Sequence, residues 1–143
     1  MGDKRGISKS LHQLGNLAYL TGDMVNARLL YDKSLKIFHE LGDKNGISNS
    51  LGQLGILAYA TGDLEGARRL ILESMRISKE LGNKSGIAIE SKNLSFLEEK
   101  EGNIDGALEF ITHAEALFIE LRSPMAAQAQ EDRQRLEKKR GNS

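Results

Sequence analysis

Apolar residues return along this chain in steps of three and four, and the whole pattern returns every forty residues. In the first stretch Ile7, Leu11, Leu14, Leu17 and Ala18 fall on one stripe of a 3.6-residue turn, the mark of an amphipathic helix. A second run follows, with Met24, Ala27, Leu30, Tyr31, Leu35, Phe38 and Leu41 at the same spacing. Between the two lies Gly22-Asp23. Glycine suits the left-handed residue that closes a helix, and aspartate can cap the next by accepting from its free amides. Each helix is expected to run about 18 residues, or about 27 Å.

The punctuation is periodic. Gly2-Asp3-Lys4-Arg5-Gly6-Ile7 returns as Gly42-Asp43-Lys44-Asn45-Gly46-Ile47 and again as Gly82-Asn83-Lys84-Ser85-Gly86-Ile87. The first two copies share 24 of 40 positions, the third has drifted, and a fourth stops after one helix. Self-similarity at this period is the signature of tandem helical hairpins. The expected organisation is one domain over 1–143, with repeats at about 2–41, 42–81 and 82–121 and a last helix at about 123–140. That last stretch starts with Pro124 after Ser123 and is poor in large apolar residues, as suits a polar helix closing a repeat array.

The residues that set each hairpin are Leu11, Leu14, Gly15, Gly22, Ala27 and Tyr31 in the first copy. In the second they are Leu51, Leu54, Gly55, Gly62, Ala67 and Ile71; the third keeps Leu94, Ser95, Gly102, Ala107 and Ile111 but has Ser91 at the bulky position. Small Gly15 and Ala27 let two helices approach, and Leu14 and Tyr31 fill the space beside them. This order resembles the tetratricopeptide repeat, in a longer-helix variant similar to kinesin light chains, Pins-type proteins and bacterial regulators. The resemblance implies an all-α fold, a right-handed α–α superhelix (solenoid) of three hairpins plus a C-terminal capping helix. Two departures stand out. His39 and Lys79 occupy the place where proline follows the second helix of the 34-residue form. Glu98 to Glu101 replace the Ala58 to Thr61 stretch, so that end is expected to be wetter and less tightly packed.

Composition narrows the function. Twenty basic residues balance twenty acidic ones, and only 133–140 is locally basic, which disfavours nucleic acid. No apolar run is long enough to span a bilayer and no signal pattern opens the chain, so no membrane partner and a cytoplasmic location are the expectation. There are no cysteines. His12, His39 and His113 share no helix at ligand spacing, and the Gly-Asp pairs lack the residues of a P-loop or calcium loop. No catalytic residue, metal site or cofactor is expected; the chain reads as a non-enzyme.

In the family the first helices line a concave surface that holds a partner. The resemblance therefore implies a peptide-binding face made of Lys9, His12, Gln13, Asn16 and Tyr19, then Asn49, Gln53, Ile56 and Tyr59, then Asn93 and Phe96. Gln13, Gln53 and Asn93 stand at one repeat position, and an amide carries both a donor and an acceptor for a peptide backbone. Family members that grip a chaperone's terminal carboxylate use lysine, asparagine and arginine. The matching positions here are His12, Asn16, Gln53, Ile89 and Asn93, and they lack the required cations. The expected function is a module binding a segment of another protein. The alternatives are a regulatory segment of a larger signalling protein, or a structural array forming a homo-oligomer through its uncapped N-terminal end.

Overall fold

Six of the seven helices in the computed structural model, which describes residues 3–142, begin in the same way. Asp3, Asp23, Asp43, Asp63, Asn83 and Asn103 each accept a hydrogen bond from the amide three residues on, at 2.9–3.2 Å. Each such cap contributes about 1 kcal/mol. The helices are α1 (Lys4–Leu20), α2 (Met24–Leu41), α3 (Lys44–Ala60), α4 (Leu64–Leu81), α5 (Lys84–Lys100), α6 (Ile104–Glu120) and α7 (Met125–Gly141). Gly22 closes the α1–α2 turn at φ 84°, where a side chain would be strained. The seventh helix starts differently. Pro124 is its cap residue and makes no side-chain bond, while the Ser123 hydroxyl accepts from the Met125 amide at 3.1 Å.

Contacts group the chain into two compact units, Met1–Ile77 and Ser78–Ser143. In the first unit α1 packs on α2 and α2 on α3. Ala27 and Tyr31 of α2 are buried together with Leu54 and Leu57 of α3, while Phe38 clusters with Ile47 and Ile77. Gly15 sits under the Tyr31 ring, where an added Cβ would lie 2.7 Å from Cε1. The small-against-large pairing read from the sequence is therefore a physical contact.

A second close approach was not read from the sequence. Buried Ser34 on α2 donates to the Ser8 carbonyl on α1 at 2.8 Å. One period on, Ser74 donates to the Ser48 carbonyl at 2.8 Å, and the Ser48 hydroxyl reaches back to the Ser74 carbonyl at 3.1 Å. In the second unit the same two positions are Ala88 and Ala114, both fully buried. Only residues this small let the helices meet there, and the hydroxyls satisfy themselves on the opposite backbone. The signal was present as Ser-Ser-Ala at both positions of the period.

The structure corrects two expectations. Leu14 and Leu17 do not lie in a core: they are 51% and 57% exposed. Their repeat-mates Leu54 and Leu57 are 8% and 3% exposed because α2 covers them. No described element covers that side of α1. The second correction concerns the charged end of α5. The packing beneath it is tight: Leu94 and Leu97 are fully buried, and the core of the second unit gathers Ala88, Ala107, Ile111, Phe118, Ala129 and Leu136. The acids above that core are engaged. Glu99 pairs with Arg135 and with Lys139 of α7, and Glu98 accepts from Asn103 at 2.7 Å. Ser95, at the place of Gly15, keeps the hairpin closed by donating to the Ala107 carbonyl at 2.7 Å.

Candidate functional site

The first unit gathers most of the expected binding residues on α1 and α3. Lys9, His12, Gln13 and Asn49 line one cavity of about 310 Å³ with Arg5, Phe38, Asp43, Asn45 and Gly46. Local structure explains its floor: Gly46 has no side chain, and a Cβ there would run into the Phe38 ring. The Phe38 ring thus reaches the base of the cavity beside the α3 backbone. Its rim is fixed by Asp43, which caps α3 with Oδ1 and accepts from Arg5 with Oδ2 at 2.8 Å. Arg5, Asp43, Asn45 and Phe38 were not among the expected site residues. Arg5 and Asn45 open first helices, Asp43 is punctuation and Phe38 lies on a second helix, and only folding brings the last three beside α1.

His12 is half-buried, its ring 5.4 Å from that of Tyr31 and tilted by 53°. Burial pushes its pKa below the ordinary imidazole value, which favours the neutral ring. Its Nδ1 is buried with no hydrogen-bond partner. Behind it, the Tyr31 hydroxyl donates to Asn16 Oδ1 at 2.6 Å, and Gln53 Nε2 donates to the same oxygen at 3.0 Å. Burial, with the neighbouring Tyr19, pushes the Tyr31 phenol up to about 12. Tyr19 packs against the Ala27–Tyr31 cluster, and Ile56 and Tyr59 are half-buried on α3.

The three amides of the repeat position therefore differ in environment. Gln13 is exposed, Gln53 spends its donor on Asn16, and Asn93 in the second unit is buried, donating to Glu90 at 2.7 Å. Phe96 is half-buried on α5. Also in the second unit, burial lowers the Lys92 pKa, opposed by the nearby charges of Asp132 and Glu90. Among the described residues no helix is long and apolar enough to cross a membrane.

Residues 6–80 match the family model of the tetratricopeptide repeat. Among solved structures, BtubC (BKLC) from P. vanneervenii is similar at a TM-score of 0.85 and 19% identity, covering 99% of this chain and 59% of that one. RapI in its apo form is similar at 0.87 and 17%, covering 99% and 40%. A kinesin light chain-type protein of Podosopora anserina with nearly identical TPR-like repeats is similar at 0.80 and 17%, covering 99% and 70%. The chain thus spans less than two thirds of the length of the first two. No curated protein matches the sequence significantly. At these identities the likenesses show the fold, an all-α series of helical hairpins.

Proposed function

Because the chain belongs to the tetratricopeptide repeat family, whose fold generally mediates contacts between proteins, we propose that it binds a segment of a partner protein on the α1–α3 face of its first unit. One observation carries this reading: the cavity among Lys9, His12, Gln13 and Asn49 borders the His12 imidazole, whose Nδ1 is buried and unpaired. An unpaired buried polar atom costs about 1–3 kcal/mol. A peptide N–H, or in the other ring tautomer a peptide carbonyl, would recover that cost once the ring turns to bring this closed-off nitrogen to the cavity. Gln13 and Asn49 stand exposed beside it and offer amides to an extended backbone whatever its sequence. The Phe38 ring below gives a side chain of that segment an apolar seat.

The test is selection of peptides from a displayed random library on the full chain, followed by affinity measurements on variants. A Gln13→Ala/Asn49→Ala double variant and, separately, His12→Phe are each expected to weaken selected peptides by about tenfold or more. Asn93→Ala, in the second unit, should leave them unchanged. Equal affinity across all variants, or no enriched peptide, would remove the binding site from this face.

A further inference from the structure

A groove of about 400 Å³ is formed by α2, α3 and α4, and it shares no lining residue with the His12 cavity. We infer that this groove docks an acidic segment of a partner protein, one that carries a bulky aliphatic or aromatic side chain among its carboxylates. The apolar part of the lining comes from all three helices. Leu54, Leu57 and Ala58 stand at three- and four-residue steps along α3, joined by Met24 of α2 and Leu70 of α4. At the edge Val25 is 74% exposed, a wholly aliphatic side chain left in water. A partner's apolar side chain seated there would cover that surface.

Charge decides the rest of the occupant. Arg28 of α2 and Arg69 of α4 face the groove from different helices, and neither guanidinium is held by a hydrogen bond or ion pair among the described residues. A free guanidinium matches a carboxylate through two parallel N–H bonds. Two aspartates also line the groove. Asp63 is committed to the start of α4, where its Oδ1 accepts from the Gly66 amide at 2.9 Å and the helix terminus offsets its charge. Asp32, one turn beyond Arg28, is then the single uncommitted acid against two free cations. Duplication does not account for the arginines. Arg69 stands where the first copy has Leu29 and the third Glu109, and the place of Arg28 is Leu108 in the third. A nucleic-acid strand fits poorly, because the aspartates repel its phosphates and no aromatic side chain lines the groove to stack its bases. The inference does not rest on the proposed peptide site.

The experiment pans the full chain against a displayed peptide library whose positions are drawn from Asp, Glu, Leu, Phe, Gly and Ser. A control library carries Lys and Arg in place of the acids. Enrichment is expected from the acidic library alone, with saturable binding of its peptides by fluorescence anisotropy. Affinity should fall by about tenfold or more in an Arg28→Gln/Arg69→Gln chain, and likewise when serine replaces the peptide's bulky side chain. Asp32→Asn should strengthen binding, and added salt should weaken it. All three substituted side chains are exposed, so circular dichroism should show these variants folded. The Gln13→Ala/Asn49→Ala chain should bind these peptides as the wild type does, which separates this groove from the α1–α3 face. No enrichment from the acidic library, or binding indifferent to the arginine changes, would overturn the inference. So would loss of binding in the Gln13→Ala/Asn49→Ala chain. Dodecanoate that displaces the peptides and binds more tightly than they do would assign the groove to an acyl chain and overturn the protein partner.

Discussion

Tyr31 on α2 donates its hydroxyl to Asn16 Oδ1 on α1 at 2.6 Å, and the same oxygen accepts from Gln53 on α3. One acceptor thus ties three helices behind the candidate site. Tyr31→Phe should cost about 1 kcal/mol in urea unfolding, the usual net value of one hydrogen bond. The loss stays modest because Asn16 keeps Gln53. The phenol also gives a spectroscopic check. With its pKa near 12, Tyr31 should contribute a late step in the phenolate absorbance titration, absent from the Phe variant. Since the folded pKa lies above the unfolded one, this group's contribution to stability is lost as pH rises from about 10 toward 12.

Two glycines should fail for different reasons. Gly15→Ala forces a methyl group against the buried Tyr31 ring, an overpacking that costs about 1–3 kcal/mol. At Gly22 a Cβ meets nothing within 4 Å, so Gly22→Ala carries only the strain of its positive φ, about 1 kcal/mol. Adding Tyr31→Leu, which removes the ring, should rescue part of the first loss and none of the second. Denaturation midpoints of the wild type, Tyr31→Leu, the two glycine variants and the two double variants decide it.

Acidification should weaken the first unit through His12. Its folded pKa is lowered by burial, so the unfolded chain takes up a proton first. Stability should decline as pH falls below about 6.5 and level off once the folded imidazole also protonates. Arg5 and Lys9 line the same cavity and oppose the added charge, whereas Asp43 favours it but is held by Arg5. Comparing urea midpoints between about pH 7.5 and about pH 5.5 for the wild type and His12→Phe tests the sign. An undiminished slope in the variant would assign the effect to another group.

The paired serines should be coupled. Ser48→Ala or Ser74→Ala alone removes one hydroxyl-to-carbonyl bond together with the 3.1 Å contact between the two hydroxyls, at about 1 kcal/mol each. The double variant recreates the Ala88/Ala114 contact of the second unit. Its cost should fall short of the sum of the singles by about 0.5 kcal/mol or more, measured as a double-mutant cycle.

The sequence alone determined the local architecture. A forty-residue period, caps of one type at six helix starts and a small residue opposite a bulky one settle where helices begin, end and touch within a hairpin, because these depend on neighbours along the chain. It also placed Lys9, His12, Gln13 and Asn49 on first helices, where the structure gathers them around one cavity. Repeat position did not decide environment. Leu14 and Leu54 have the same register, yet one is open and the other buried, because only α3 has α2 on that side. Gln13, Gln53 and Asn93 likewise share a position while one stays exposed, one meets Asn16 and one meets Glu90. Periodicity specifies the angle at which a side chain leaves its own helix. Which helix it then meets is decided only by tertiary packing, and that sets whether an identical residue becomes core, hydrogen-bonded partner or binding surface.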